Sequence, residues 1–458
     1  MTKTPVRGRR SLLVAALVTL VVAACSNSST KSQTPAGSGP SGTSASGAQP
    51  VPIGGVPGVT NGEIRYSSLG TNSNNPLGTC VLQCFDDGVK AYFDFRNSQG
   101  GVYGRKLVLS KEVDDGLANN QAKALEIISA NDTFGTFSAA QVANGWGDLA
   151  NKGIPTYVWA INPAQAAGHA EIFGNAGVAC ISCTARAVGY AVKVAGAKKV
   201  ATLGYGVSAN SKQCADFAAK SVEKYTADIG GAHAVYTNDN LDFGLANGIG
   251  PEVAAMKRAG VDLIYGCLDL NGMKTLAQEL QRQGMRQTVK MVHTNTYDQK
   301  FVSDAGSLFV GDLVGVTFRP FEADAGASRL KDFHDWMAKD GKSETELAIE
   351  GWINADLAYS GLTAAGPNFD RQKVIDGTNR QLTGFTAGGL IAPVDWSRQH
   401  DAPTESDLAA HGPKQDCAAF VQVGKDSKFQ VVGDPTKPWV CWPGSTRDWS
   451  APVPTSFD

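Results

Sequence analysis

The sequence predicts an α/β protein of two lobes, each a mostly parallel β-sheet flanked by helices. One unit recurs along the chain, a short buried strand followed by an amphipathic helix, and this repetition is typical of parallel sheets covered by helices. The globular part runs from about residue 62 to residue 458, whereas a single hydrophobic core stops growing at about 250–300 residues. Two cores, and therefore two lobes, are expected.

Two strand–helix units show the pattern most clearly. Residues 199–205 (KVATLGY) predict one buried strand and residues 263–267 (LIYGC) another, each followed by small or apolar residues at helical spacing. Pro251 suits the first turn of a further helix, and Asn271 can cap the helix after the second strand. In such sheets ligands bind beyond the carboxyl ends of the strands.

The first residues have the features of an export signal. Residues 1–10 carry four basic side chains and no acid, residues 12–24 are almost wholly apolar, and the run stops at Cys25. This run is shorter than the ~20 apolar residues of a membrane-spanning helix, so residues 1–24 are interpreted as a signal peptide. Residues 22–25 (VAAC) resemble the bacterial lipobox, which implies acylation of Cys25. The alternative is an ordinary signal peptide beside a buried cysteine.

Residues 25–61 are interpreted as a lipid-anchored, flexible linker. From residue 26 to about residue 52 the chain is mainly Ser, Gly, Thr, Pro, Ala and Gln, without an aromatic residue. Such a segment cannot bury enough apolar surface to offset the entropy lost on ordering. About 27 residues of this composition reach on the order of 30 Å. We therefore expect the globular part to stay beside the extracytoplasmic face of the cell membrane.

Eight cysteines besides Cys25 favour disulfide bonds, because an even number in an exported chain is typical of an oxidising compartment. The pairs expected from their positions are Cys80/Cys84, Cys180/Cys183, Cys214/Cys267 and Cys417/Cys441. Connectivity does not follow from sequence alone. The alternative is a zinc site formed by the two close pairs, although their spacings do not match each other.

The sequence contains no catalytic signature that we recognise. HExxH, GxSxG and the P-loop are absent, and the six histidines are scattered. Asp114 and Asp115 are adjacent, so on an extended strand they would point to opposite faces, and a turn is favoured over an acid–base pair. The formal net charge is −2 without a long basic run, which argues against nucleic acid as a partner. No enzyme activity, cofactor or metal is expected.

Several segments, in order, resemble the type I periplasmic solute-binding proteins of the leucine/isoleucine/valine-binding family, which serve ABC importers. Residues 97–107 (NSQGGVYGRKL) look like that family's turn between its first helix and second strand, and residues 114–116 (DDG) like the turn after that strand. Residues 134–140 (FGTFSAA), followed by 153–155 (GIP), resemble its third and fourth strands. Residues 382–394 (LTGFTAGGLIAPV) resemble its Gly-rich passage into the last strands.

The resemblance implies two discontinuous lobes joined by three crossover strands, near Asn175, Pro320 and Gly388. Lobe I would comprise residues 62–175 and 321–388, lobe II residues 176–320 and 389–447, and residues 448–458 a C-terminal tail. Closure over a ligand would be a hinge motion.

In lobe I the resemblance implies ligand contacts from Ser138, Ala139, Ala160 and Asn162. Ser138 is expected at the N-terminus of the helix after its strand, where N–H groups and the hydroxyl would hold a carboxylate. The alternative is a simple helix cap. Ala160 and Asn162 match the strand end that receives the ligand's amino group.

In lobe II the candidates are Asn210, Ser211, Asp269 and Asn295. Asp269 could hold an ammonium group, or could be a loop acid or helix cap. The family places an acid near Asn295, and this sequence has none there. This departure argues against a branched-chain amino acid, because a buried ammonium without a counter-charge is costly. Either Asp269 replaces the missing acid or the ligand lacks that charge.

The expected function is that of a monomeric binding protein that captures a small polar solute, such as an amino acid, amide or related carboxylate, and delivers it to the permease of an ABC importer. Two alternatives remain open at this stage. The same fold serves ligand-sensing receptors, and a secreted hydrolase with an unrecognised site would also be exported.

Overall fold

Two β-sheets, both with helices packed against them, make up the fold. A computed structural model describes residues 52–75, 80–159, 168–174, 183–401, 404–408, 412, 414–443 and 446–458. The strands are β1 (Glu63–Gly70), β2 (Lys106–Asp114), β3 (Gly135–Ala139), β4 (Thr156–Val158), β5 (Ile172–Gly174), β6 (Lys199–Tyr205), β7 (His233–Leu241), β8 (Leu263–Cys267), β9 (Lys290–His293), β10 (Leu313–Val316), β11 (Asp416–Val423), β12 (Phe429–Val431), β13 (Trp439–Trp442) and β14 (Val453–Thr455).

The helices are amphipathic or buried, and several begin at a side-chain cap. They are α1 (Leu82–Ser98), α2 (Asn120–Ala130), α3 (Trp146–Ala150), α4 (Arg186–Ala195), α5 (Ala209–Lys224), α6 (Gly250–Ala259), α7 (Leu270–Arg282), α8 (Gln299–Asp304), α9 (Leu330–Lys339), α10 (Glu346–Ala365) and α11 (Arg371–Gln381), with 3₁₀ turns at Phe243–Leu245 and Gly306–Phe309. The capping side chains are Ser208, Asp269, Asp298, Thr345 and Asp370. Over the described ranges, no helix combines the length and the apolar run that a bilayer span needs.

The first sheet is wholly parallel, in the order β2-β1-β3-β4-β5. Every residue of β3, β4 and β5 is buried, because helices cover both faces of such a sheet. The predicted turns lie where the family resemblance placed them: β2 begins at Lys106 and ends at Asp114, and β4 begins directly after Pro155.

The second sheet is mixed, in the order β14-β13-β11-β10-β9-β8-β6-β7, with β12 paired to β11. Its β10-β9-β8-β6-β7 part is parallel, and its later strands are antiparallel. The predicted strands at residues 199–205 and 263–267 are confirmed to the residue as β6 and β8. Pro251 lies in the first turn of α6 as expected. The predicted cap Asn271 is wrong, since Asp269 caps α7.

The chain returns to the first sheet after building most of the second. α10 packs along α1, and α11 along α10. Two segments that pass between the sheets, around Arg319 and around Leu390, lie side by side. The Arg319 N–H donates to the Leu390 carbonyl at 2.7 Å. An α/β fold with helix-flanked parallel sheets, as the sequence predicts, is therefore confirmed.

Glycine lets α1 and α10 approach backbone to backbone. A Cβ at Gly351 would lie 2.0 Å from the Phe85 carbonyl oxygen, and one at Gly88 would lie 1.7 Å from that of Ala348. No side chain fits at either position without the helices separating. This contact fixes where the first turns of α10 lie.

Three of the expected disulfides are formed: Cys80–Cys84, Cys214–Cys267 and Cys417–Cys441. Cys214–Cys267 ties α5 to β8, and Cys417–Cys441 joins paired residues of β11 and β13. Cys183 is also disulfide-bonded, while Cys180 and Cys25 lie outside the described residues. These bonds exclude zinc binding by the cysteines that form them.

Candidate functional site

A buried polar network joins the loops at the carboxyl ends of β1, β2 and β3. The Thr71 hydroxyl and the Asn120 amide donate to the two carboxylate oxygens of Asp115, each at 2.9 Å. The Asn120 oxygen accepts the N–H groups of Asn144 and Gly145, both at 3.0 Å. Because Asp115 is 1% exposed, its side-chain oxygens are satisfied by these donors instead of by water.

The neighbouring Asp114 forms the predicted turn. Burial raises the pKa of Asp114, but hydrogen bonds from Ser73, Asn72 and Gly116 outweigh that effect and bring it to about 2. Its oxygens accept backbone N–H groups of Asn72, Ser73 and Gly116 at 3.0–3.2 Å. Asp114 therefore shapes the loop after β1.

Ser138 lies inside β3, fully buried, so the expectation that it begins the next helix is wrong. The helix α3 starts later, at Trp146. The Ser138 hydroxyl donates to the Leu69 carbonyl and accepts the Trp146 indole N–H, both at 2.8 Å. In this conformation the hydroxyl joins β1, β3 and α3. Ala139 is also buried, and its carbonyl accepts the Thr71 N–H at 3.0 Å.

The next strand end of the first sheet is only partly described. Trp159 is half-buried, and its N–H donates to the Ser138 carbonyl at 2.9 Å. The candidates Ala160 and Asn162 lie outside the described residues.

In the second sheet, Asp269 occupies the helix-cap position that the sequence left as one alternative. One of its oxygens accepts the N–H groups of Asn271 at 2.9 Å and Gly272 at 3.2 Å. The other accepts the Tyr205 hydroxyl. Burial raises the pKa of Asp269, and these hydrogen bonds oppose that rise. Asp269 therefore couples the carboxyl ends of β6 and β8, with both oxygens engaged.

Ser211 also joins these two strands. Its hydroxyl donates to the Cys267 carbonyl at 2.5 Å and accepts the Tyr205 N–H at 2.7 Å. Asn210, one residue earlier, is exposed in the first turn of α5. Of these two candidates, Asn210 is the more exposed.

The loop after β9 carries three consecutive polar residues in different settings. The Thr294 hydroxyl donates to the Gly266 carbonyl at 3.2 Å, and the exposed Asn295 amide donates to Thr294 at 3.3 Å. Thr296 is 2% exposed, and its hydroxyl has no hydrogen-bond partner. A buried polar group without a partner within the protein is uncommon.

Sequence reasoning missed the residues of α10 that reach this loop. The Tyr297 N–H donates to a Glu346 carboxylate oxygen at 3.3 Å. Two turns further along α10, the Asn354 amide donates to the Val158 carbonyl, at the carboxyl end of β4, at 3.4 Å. The helix therefore spans from a strand end of the second sheet to a strand end of the first.

The sequence contains an indirect indication of this polar face of α10. Glu346, Glu350 and Asn354 recur every four residues in an otherwise mostly apolar run, and such residues share one helical face. Glu350 is 4% exposed and Asn354 is fully buried. Burial raises the pKa of Glu346 to about 8, the Tyr297 N–H partly offsets this rise, and Asp298 adds to it.

A separate cavity of about 450 Å³ lies at the segments between the sheets. It is lined by Ala327, Arg329, Thr386, Gly388, Gly389, Ser456, Phe457 and Asp458. None of these residues was a sequence candidate, and the cavity takes no part in the surface described above.

Comparisons with known proteins agree on the fold. The profile of a family described as periplasmic binding protein matches residues 78–428. A search of curated proteins finds no match to the sequence.

Solved structures of solute-binding proteins superpose over most of the chain. The fatty acid ABC transporter substrate-binding protein from Thermomonospora curvata has a TM-score of 0.66 at 16% identity, covering 88% of this chain and 98% of its own. The leucine-binding protein LivK from Thermotoga maritima has a TM-score of 0.62 at 14% identity, covering 81% and 98%. An ABC transporter solute-binding protein from R. palustris in complex with 4-hydroxybenzoate has 0.61 at 17%, covering 81% and 96%.

At these identities the structures establish the fold alone, while the profile match over most of the chain establishes the family. The chain belongs to the periplasmic binding protein family, and its fold is that of the type I periplasmic binding proteins.

Proposed function

We propose that this protein is an extracytoplasmic solute-binding lipoprotein that captures a small polar ligand between two lobes and delivers it to an ABC importer. The family match supports solute binding outside the cytoplasm. Structural neighbours whose names refer to ABC transporters support an importer permease as the partner.

The single observation that carries the proposal is the position of α10. Its Glu346 contacts the loop after β9, and its Asn354 contacts the end of β4. Strand ends of both sheets therefore converge on one helix, and open α/β sheets bind ligands at such carboxyl ends.

Lobe closure is the proposed mechanism of capture. Lobe I would contain residues 62–175 and 321–388, and lobe II residues 176–320 and 389–447, with the crossovers as hinges. A ligand that contacts both lobes favours the closed state by its differential affinity for that state. Binding requires no bond making or breaking, so the protein would have no chemistry of its own.

Within the site, the sequence candidates divide into two proposed roles. Ser138, Ala139, Ser211 and Asp269 would hold strand ends and loops in position, since their polar groups are engaged within the protein. Asn210 and Asn295 are exposed and would contact the ligand directly. Ala160 and Asn162 keep the ligand role that the family resemblance implies.

The lipid anchor is proposed from the sequence of residues 22–25 alone. Acylation of Cys25 would keep the binding protein on the extracytoplasmic face of the membrane, beside the permease. Mass spectrometry of the membrane-extracted protein, with Cys25→Ser as control, should show diacylglyceryl modification at Cys25 in the unaltered chain only.

Native mass spectrometry of the gently purified full chain tests ligand capture. We expect a small molecule to remain bound and to be lost on denaturation. Deletion of the gene should then abolish cellular uptake of that molecule. Binding with unchanged uptake would favour a ligand-sensing receptor, and turnover of the bound molecule would favour a hydrolase.

A further inference from the structure

One face of α10 carries two acids and an amide, Glu346, Glu350 and Asn354, at four-residue spacing. Residues Ala348–Ala358 of this helix are buried without a break. A buried carboxylate or amide is costly unless a partner satisfies it. Glu346, in the first turn, is half-buried, and the partners of Glu346 and Asn354 decide what this face can bind.

Asp356, a buried acid on another face of α10, is paired with groups of the protein itself. Asp356, which is 5% exposed, accepts the Tyr92 hydroxyl and pairs with the Arg96 guanidinium at 3.2 Å. Glu346 forms no ion pair with any described residue, and its nearest partner is the neutral Tyr297 N–H at 3.3 Å. One protein cation, Arg96, thus pairs with the acid on the α1 side of α10, whereas Glu346 has no ion pair within the described residues.

The charged groups around Glu346 do not supply that counter-charge. Asp298 is an acid that caps α8 by accepting the Phe301 N–H at 2.7 Å, and Glu322 accepts the Tyr297 hydroxyl at 2.6 Å. Two basic side chains that precede α10 in the chain pair with other acids. His334 pairs with Glu344 at 2.8 Å and Lys342 with Asp87 at 2.9 Å.

Two buried oxygen atoms at the ends of this face lack hydrogen bonds. The Asn354 amide nitrogen donates to the carbonyls of Val158 and Glu350, at 3.4 and 3.0 Å, which leaves its oxygen as an acceptor without a donor. The Thr296 hydroxyl, next to the Tyr297 N–H that contacts Glu346, also has no partner. Asn354 is 0% and Thr296 2% exposed, so bulk water does not satisfy them.

Glu346 and the Asn354 amide oxygen together indicate which chemical group a ligand would place at this face. A carboxylate and an amide oxygen both accept hydrogen bonds and both favour positive charge. An ammonium or guanidinium group offers several N–H donors on one cation. A carboxylate placed here would meet the like charge of Glu346, Asp298 and Glu322.

We infer that the α10 face that begins at Glu346, together with Thr296 beside the Tyr297 N–H that contacts Glu346, is a subsite for the cationic nitrogen group of an organic amine or guanidine. The inference rests on the proposed function and specifies which solutes the site takes. It also relocates the counter-charge, since Thr294 and Asn295 stand where the family resemblance places an acid, and Asp298 and Asp269 are engaged as helix caps. The ligand thus differs in charge from 4-hydroxybenzoate, the ligand of one structural neighbour.

The test is calorimetric titration of the full chain in detergent with two cations that lack a carboxylate, agmatine and putrescine. Octanoate, 4-hydroxybenzoate, leucine and glutamine are titrated in parallel. We expect at least one of the two cations to bind and octanoate and 4-hydroxybenzoate not to bind. Glu346→Gln should weaken the cation's Kd by about tenfold or more. Glu126→Gln, on the exposed face of α2, is the matched control and should leave Kd unchanged.

The pH dependence gives a second readout. Because burial raises the pKa of Glu346 to about 8, cation binding near pH 7 should release a proton, and Kd should fall as pH rises from 6 to 8. Glu346→Gln should remove both effects. Binding only of uncharged, zwitterionic or anionic members of the panel would overturn the inference while the proposed function stands. Binding of none of them, in a chain that also purifies without any small molecule, would overturn both.

Discussion

The close approach of α1 and α10 predicts that Gly351→Ala destabilises the protein and disturbs the site together. The new Cβ would lie 2.0 Å from the Phe85 carbonyl oxygen and 3.2 Å from the Val89 nitrogen, both backbone atoms. Ordinary contact begins at 3.4 Å, so the helices must separate by more than ~1 Å in a core packed as densely as a crystal.

Two opposing effects determine how much unfolding free energy Gly351→Ala loses. Overpacking of a core costs about 1–3 kcal/mol, and the upper part of that range applies because backbone atoms cannot rotate away. Alanine in place of glycine stabilises a helix interior by about 1 kcal/mol. The expected net loss is therefore about 2 kcal/mol, accompanied by weaker ligand binding, since Glu346, Glu350 and Asn354 move with α10.

Chemical denaturation measures the free energy of unfolding. Gly147→Ala in α3 is the matched control, since its Cβ would meet only the His169 ring at 3.6 Å, and it should be neutral or slightly stabilising. Equal stability of the Gly351→Ala and Gly147→Ala variants would refute the packing argument.

Other expected outcomes follow from the same structure. Asp115→Asn should cost about 1.5–3 kcal/mol of unfolding free energy, because an amide cannot accept all three donors that the carboxylate does; an unchanged denaturation midpoint would contradict this. Ser138→Ala should cost about 1–3 kcal/mol by leaving a buried carbonyl and an indole N–H unsatisfied, and a loss of ligand affinity at unchanged stability would instead indicate direct contact. Replacing Cys214 and Cys267 by alanine should cost about 2–4 kcal/mol, measured without reductant; equal stability with and without the bond would count against it. The raised pKa of Glu346 means that the folded state keeps a proton that the unfolded state releases above about pH 4.5, so the ligand-free protein should lose stability as pH rises from there to about 8. Glu346→Gln should flatten that slope in thermal unfolding, and an identical slope would contradict the assignment.

Sequence patterns predicted the positions of the strands well, because the residues that make a strand buried are consecutive in the sequence. Residues 199–205 and 263–267 were predicted to the residue as β6 and β8, since continuous apolar and β-branched runs identify buried parallel strands. The pairing of Cys214 with Cys267 was also correct, although spacing alone left it open. The family resemblance placed the turns around β2 and β4.

Side-chain roles were predicted less well, because they depend on contacts between distant parts of the chain. The sequence could not show that Trp146 reaches back to the Ser138 hydroxyl, or that the loop between β3 and α3 displaces the helix start from Ser138. It also could not show that Tyr297 meets Glu346. Of the alternatives for Asp269, the helix cap is confirmed. Aspartate directly before a helix is a common N-cap.

The central claim is that two lobes close around a solute held at their strand ends, and one distance tests it directly. Val142, on the loop after β3, and Val207, on the loop after β6, are 47% and 77% exposed and accept spin labels as Val142→Cys and Val207→Cys. Pulsed electron paramagnetic resonance should show the distance between the labels shortening and narrowing when the solute identified by native mass spectrometry is added. A distance distribution that stays the same while that solute is bound to saturation would contradict the claim.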